Sequence, residues 1–146
     1  MFKHLLLCAD GSDRSDRAIA RGINLAHAVD ARITFLHVIP TLDERMTVMQ
    51  EAQPNSERGI SHQYLSRLEE LATQADVLCD TLTVESDHSF RAIVETAAQR
   101  NCDLIVMTSH GRKGIHALLP GGETHDKVLA HTDVDVLVVH PGATKK

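Results

Sequence analysis

Four of the eight glycines in the chain fall between Gly111 and Gly122, in the stretch TSHGRKGIHALLPGGETHDKVL that runs from Thr108 to Leu129. Glycine permits positive backbone dihedrals and lets another group approach the main chain closely. The last pair, Gly121 and Gly122, leads into a segment of helical period whose first amides lack intrahelical partners. The chemistry this arrangement suits is the holding of an anion, a phosphate above all, by backbone N–H groups. A second turn, ADGSDRSD at residues 9–16, sets Asp10 and Gly11 before Ser12, a residue type that caps helices. Asp13 and Asp16 in the first turn there suit the helix dipole but repel a phosphate, which leaves the anion to the glycine-rich stretch.

Other site chemistries are less well served. No G-x-x-x-x-G-K-[ST] loop is present, no G-x-G-x-x-G follows the first apolar run, and no G-x-S-x-G occurs. The chain therefore supports neither a P-loop motor, a dinucleotide dehydrogenase nor a serine hydrolase of the nucleophile-elbow type. His110, His116 and His125 flank the glycine-rich stretch. They lack the i, i+4 helical pair and the supporting carboxylates of a dedicated zinc site, so no metal centre of their own is expected. Arg112 and Lys113 read as solvated residues of a loop tip.

The elements that must position these turns alternate in type. Short apolar runs at Phe2 to Ala9, Arg32 to Val38, Thr81 to Val84, Asp103 to Met107 and Val134 to Val139 read as five strands. Between them four helical faces recur: Ile19, Ile23 and Ala26; Ile60, Tyr64, Leu68, Leu71 and Ala75; Ile93, Val94 and Ala97; and Val128 with Leu129. Strands alternating with helices predict an α/β fold, a single open, doubly wound five-stranded parallel sheet flanked by helices on both faces. Ligands of such sheets bind beyond the carboxyl ends of the strands, where strand order reverses. Ile39 to Asn55 shows no periodicity and is expected to be a mobile loop.

Bulk composition agrees with one domain over residues 1–146, since 42% hydrophobic content supplies a real core. A formal net charge of -5 argues against a sequence-independent grip on nucleic acid. Cys8, Cys79 and Cys102 are odd in number and sit in or beside apolar runs, so reduced thiols and a cytoplasmic location are expected. The opening MFKHLLLCAD has neither the length of a membrane span nor a signal-peptide pattern.

Taken in order, ADGSDRSDRAI after the first strand, LHVIP after the second, SFRAIVETA opening the third helix, and DLIVMTSHGRKGI…LLPGGETHDKVL…VDVLVV make the chain resemble the universal stress protein family over nearly its whole length. The resemblance implies an adenine nucleotide alpha hydrolase-like sheet of strand order 3-2-1-4-5. Members that bind ATP carry G-x2-G-x9-G-[ST]; that frame falls here on Thr108, Gly111, Gly121 and Gly122, so its first glycine and its hydroxyl position both differ. An extra residue also lies near His125 and Asp126. By the resemblance, Asp10 would lie near the ribose and phosphates, the Val38 backbone would read the adenine edge, and Met107 would line the base pocket. Thr108 stands where a glycine's neighbourhood would touch the ribose, Gly111, Gly121 and Gly122 would cradle the phosphates, and Glu123 would face the phosphate region. Taken alone, Asp10 also reads as a turn aspartate bonding its own following amides, and Val38 and Met107 as core residues.

The function implied is ATP or another adenine nucleotide, ADP or AMP, bound with Mg2+ shared by Asp10, with occupancy regulating a stress response and hydrolysis at most slow. An alternative is a nucleotide-free dimeric interaction module of the same family. Either reading includes a homodimer through Val134 to Val139, a strand expected at the sheet edge, where a bare apolar strand invites pairing. Val136 and Val138 should then face one side of the sheet, Leu137 and Val139 the other.

Overall fold

Residues 1–39, 41, 57–109, 124–140 and 142 are described by the computed structural model; at positions 57, 58 and 60 only the backbone is described. In chain order the elements are β1 (His4–Cys8), α1 (Asp13–Val29), β2 (Arg32–Ile39), α2 (Glu57–Gln74), β3 (Cys79–Glu85), α3 (Ser89–Gln99), β4 (Leu104–Thr108), α4 (Thr124–His131) and β5 (Asp135–Val139). All strand pairs are parallel, in the order β3-β2-β1-β4-β5. Each of the five expected strands is present, with its ends shifted by a residue or two. Residues 42–56, most of the segment read as a mobile loop, lie outside the described residues, and Ile39 instead completes β2.

The two-residue period of the strands sorts the core into two layers. Leu5, Leu7, Ile33, Phe35, Leu104, Val106 and Val139 pack with Ala18, Ile19, Ile23 and Ala26 of α1 and Leu65, Leu68 and Ala72 of α2. Leu6, Leu36, Ile105 and Met107 pack on the opposite face with Ile93 and Ala97 of α3 and Val128 of α4. Two sequence readings of helix faces need correction. The buried stripe of α2 is Leu65, Leu68 and Ala72, and Leu71 is 45% exposed; on α4 Val128 is buried whereas Leu129 is 51% exposed. A repeat of apolar residues one position apart cannot be phased from the sequence until the neighbouring strand fixes which one it covers.

Three of the helix-to-strand links use one device. Asp30, Asp76 and Asn101 adopt φ of 58°, 59° and 55°. Asp and Asn tolerate this left-handed region better than other side chains. The next residue then bonds back: Ala31 N to Ala26 O, Val77 N to Ala72 O and Cys102 N to Ala97 O, each at 2.9 Å. These are Schellman-type closures, with the apolar residue after the turn buried against the helix end.

At the base of the sheet, Asp103 accepts from the Lys3 and His4 amides at 2.8 and 3.0 Å. The Thr34 hydroxyl donates to Asp80 Oδ1 at 2.6 Å and lies 2.7 Å from His4 Nε2, which places the shared proton on His4 Nε2. Arg100 Nη1 donates to the other Asp80 oxygen, also at 2.6 Å. Burial, with Arg32 nearby, lowers the His4 pKa from 6.5.

Candidate functional site

Chain order carries β1 to β2 and β3 on one side and returns to β4 and β5 on the other, so the reversal lies between β1 and β4. A cleft opens there at the carboxyl ends of the strands. Its walls come from Cys8 at the end of β1 with Ala9 and Asp10 after it, Leu36 and Val38 of β2, Met107 and Thr108 of β4, and the N-terminal parts of α3 (Ser89, Ile93) and α4 (Thr124). A larger cavity of about 450 Å³ lies between α1 and α2, against about 90 Å³ for this cleft. Size does not decide between them. The larger one is an open apolar groove over Ile19, Ile23, Leu68 and Leu71, whereas the cleft gathers strand ends and two helix N-termini at the reversal point, where α/β folds place ligands.

The backbone at the cleft follows from register. The Ala9 amide donates to Leu36 O at 2.8 Å, so the polar groups of Leu36 face β1. Alternation turns the N–H and C=O of Val38 to the same side, beyond the last β1 residue in the ladder, Cys8. On β4, the Ser109 amide donates to Val139 O at 3.2 Å and so faces β5. The N–H and C=O of Thr108 therefore point the other way, toward the end of β1. Main-chain groups from β2 and β4 thus converge on either side of the point where β1 stops.

There β1 gives way to a tight turn. Gly11 adopts φ of 84°, a value that only glycine holds without strain. Asp10 Oδ1 accepts from the Ser12 amide at 2.8 Å and the Ser12 hydroxyl at 2.6 Å. Ser12 caps α1 by accepting from the Ser15 amide, and Asp13 and Asp16 occupy the first turn. Asp10 therefore is the turn aspartate of its isolated reading and also a lining residue of the cleft. Behind the turn, Ser15 Oγ lies 3.4 Å from Tyr64 Oη.

The apolar floor is made of Leu36, Val38, Ile93 and Met107, which belong to or pack on one core layer. Cys8 lines the same floor as a free thiol; burial, with Asp10 and then Cys102 nearby, pushes its pKa up to about 12. It is an inert wall group at neutral pH. The α3 N-terminus has no side-chain cap bond from His88 and no acidic residue in its first turn. Its amides add to the polar rim.

Thr108 differs from its sequence expectation in one respect. It lines the cleft, but its side chain is 5% exposed and its hydroxyl donates to Val139 O at 3.0 Å, away toward β5. Strand alternation puts Met107 toward the cleft layer and Thr108 toward the α1 layer, a consequence readable from the apolar run alone. The structure thus brings Asp10, Val38, Met107 and Thr108 together. Gly111, Gly121, Gly122 and Glu123 lie outside the described residues. The lining residues that the sequence analysis does not assign to the site are Cys8, Ala9 and Leu36 near the strand ends and Ser89, Ile93 and Thr124 of α3 and α4; the signal available was their place at the carboxyl ends of the strands or near helix starts.

An open, doubly wound parallel sheet with a cleft at its reversal point defines the class of α/β fold. The sequence matches the universal stress protein family over residues 1–140, and the chain belongs to that family. A Staphylococcus haemolyticus protein bearing the universal stress protein name is 26% identical over 144 residues, which cover 94% of this chain and 84% of that one. A universal stress protein solved in complex with cAMP superposes with a TM-score of 0.77 at 23% identity, over 97% of this chain and 99% of that one. An Arabidopsis thaliana family protein with AMP bound gives 0.72 at 14% identity, over 97% and 93%. Identities this low establish a shared fold. Among the described residues no helix is long and apolar enough to cross a membrane.

Proposed function

We propose that the cleft binds an adenine nucleotide. The observation that carries this is the convergence of the Val38 and Thr108 backbones over the Asp10 turn, above an apolar floor of Val38, Ile93 and Met107. An apolar slot edged by main-chain donors and acceptors suits a purine base and its hydrogen-bonding edge. Asp10 would face the ribose and share Mg2+ with the phosphates, which would run toward the amides of Gly111, Gly121 and Gly122, with Glu123 beside them. Support comes from the two fold neighbours solved with cAMP and AMP. Occupancy would regulate a stress response in the cytoplasm, with a homodimer formed through β5. That strand is at the sheet edge, with Val136 and Val138 packed on one layer, Val139 on the other and Leu137 39% exposed.

Calorimetric titration of nucleotide-stripped protein with AMP, cAMP and ATP, with and without Mg2+, tests the reading. Saturable binding that is lost on replacing Met107 with a charged residue, Met107→Glu, is expected. No heat from any of the three, and no nucleotide released on denaturing freshly purified protein, would remove it. That result would favour the nucleotide-free interaction module, which the commitment of the Thr108 hydroxyl to β5 supports.

A further inference from the structure

Packing alone does not fix the Asp10 turn. Gly11 follows Asp10 at φ of 84°, and a Cβ built on it would meet nothing within 4 Å, so that side of the turn faces open space. Glycine also tolerates many other dihedrals, which leaves hydrogen bonds to choose among them. Two such bonds lead out of the turn to one side chain, Tyr64 of α2.

Burial raises the Tyr64 pKa, so the phenol keeps its proton at neutral pH. The Ser15 hydroxyl has one proton and donates it to Ser12 O at 2.9 Å. In the 3.4 Å contact between Ser15 Oγ and Tyr64 Oη the neutral phenol is therefore the donor. The Gly11 main chain bonds to the same phenol in the sense that favours its ionised form, which makes the bond a donation from the Gly11 amide. One oxygen thus joins the peptide that follows Asp10 to the first turn of α1. Ser12, between the two, donates its amide and its hydroxyl to Asp10 Oδ1 at 2.8 and 2.6 Å.

Tyr64 is itself firmly held. Its ring meets His37 of β2 edge-on, with centroids 6.0 Å apart and planes at 77°. His37 Nδ1 lies 2.7 Å from Oγ of Ser61, a fully buried residue of α2, and that oxygen lies 3.0 Å from Thr83 Oγ1 of β3. The cleft itself is walled by other residues, among them Val38, the neighbour of His37.

From this geometry we infer that Tyr64 is a positioning residue of the nucleotide site: its hydroxyl braces the turn from Gly11 to Ser15 and so sets where the Asp10 carboxylate stands in the cleft. The inference rests on the nucleotide reading and adds to it a residue outside the cleft on which affinity depends. A ligand that bonds to Asp10 meets a carboxylate already in place and does not have to order the turn as it binds.

Calorimetry with AMP, and amide hydrogen exchange of the free protein, test this on wild type, Tyr64→Phe and Val77→Ala. Tyr64→Phe keeps the ring and its contact with His37 and removes the hydroxyl. Its AMP affinity should fall about fivefold, the scale of one ordinary hydrogen bond, and its Gly11 and Ser12 amides should exchange faster than those of wild type. Val77 is buried beyond the far end of α2, so Val77→Ala lowers stability without touching the turn and should change neither reading. Wild-type affinity in Tyr64→Phe, or an equal loss in Val77→Ala, overturns the inference. Should Tyr64→Phe fail to fold, Ser15→Ala, which removes the partner of the phenol in the turn, must show both changes. Wild-type protein that gives no calorimetric signal with AMP defeats the nucleotide reading instead. Faster Gly11 exchange in Tyr64→Phe then still upholds the bracing of the turn, and unchanged exchange overturns it.

Discussion

Gly22 sits within α1 directly over the centre of the sheet. A Cβ placed on it would stand 2.5 Å from Leu7 Cδ2, 2.8 Å from Leu7 Cγ and 3.1 Å from Leu7 Cδ1. Leu7 has nowhere to go, because it is fully buried between its register partners Phe35 and Val106, which are buried too. Overpacking of this kind costs about 1–3 kcal/mol. Against it stands the better helix propensity of alanine, about 1 kcal/mol. Gly22→Ala should therefore lower stability by about 1 kcal/mol, or about 2–4 °C in Tm for a chain of this size. Gly22→Val adds two more carbons and a stiff χ1, and should cost about 3 kcal/mol or more. Equilibrium urea unfolding measures both. Leu7→Val in the Gly22→Ala background should recover part of the loss, since neighbours in contact do not behave additively. The reasoning is refuted if Gly22→Ala raises stability, or if the two substitutions simply add. Leu7 precedes Asp10 by three residues, so displacement of β1 should also weaken AMP binding by protein that remains folded.

Ser12→Ala removes the α1 cap and one of the two Ser12 donors to Asp10; a loss of about 1 kcal/mol and weaker AMP binding are expected, and urea unfolding with unchanged stability contradicts the capping role. His4 supplies a pH signature. Its folded pKa lies below 6.5, so as pH falls through 6.5 the unfolded chain takes up the proton first and stability is lost until the folded pKa is passed. Between about pH 7.5 and about pH 5.5, His4→Gln should show a shallower loss of stability than wild type, and parallel curves would exclude His4 as the source.

The layout of the fold was open to sequence reading because each strand is a nearly unbroken apolar run. That is the mark of a parallel sheet covered on both faces, and five such runs left few topologies. β3 was the partial exception: its reading began at Thr81 because Cys79 and Asp80 interrupt the pattern, and Asp80 is tolerated there only because Thr34 and Arg100 satisfy its two oxygens. Such partners, distant by 46 and 20 positions, leave no local signal. Helix ends were similarly hidden, since Asp30, Asp76 and Asn101 take the turn that sequence reasoning looks for at glycine. In the cleft, Asp10, Val38 and Met107 are picked out by the family resemblance, since taken alone Asp10 reads as a turn residue and Val38 and Met107 as core, while Ser89, Ile93 and Thr124 come from helices that only the crossover geometry brings alongside.

The two ends of the sheet handle their polar groups in opposite ways, and this bears on where function can reside. At the base, Asp103 takes up the first β1 amides, and His4, Thr34, Asp80 and Arg100 satisfy one another across three strands and the end of α3. A fully partnered network rigidifies its surroundings and offers little to a ligand. At the top, strands of unequal length end in staggered fashion: β2 runs to Ile39 and β4 to Thr108, while the β1 ladder stops at Cys8. The stagger directs main-chain groups of the longer strands at the gap. A base held firm and a top whose polar groups converge on a cleft form the division expected when a scaffold positions a binding site.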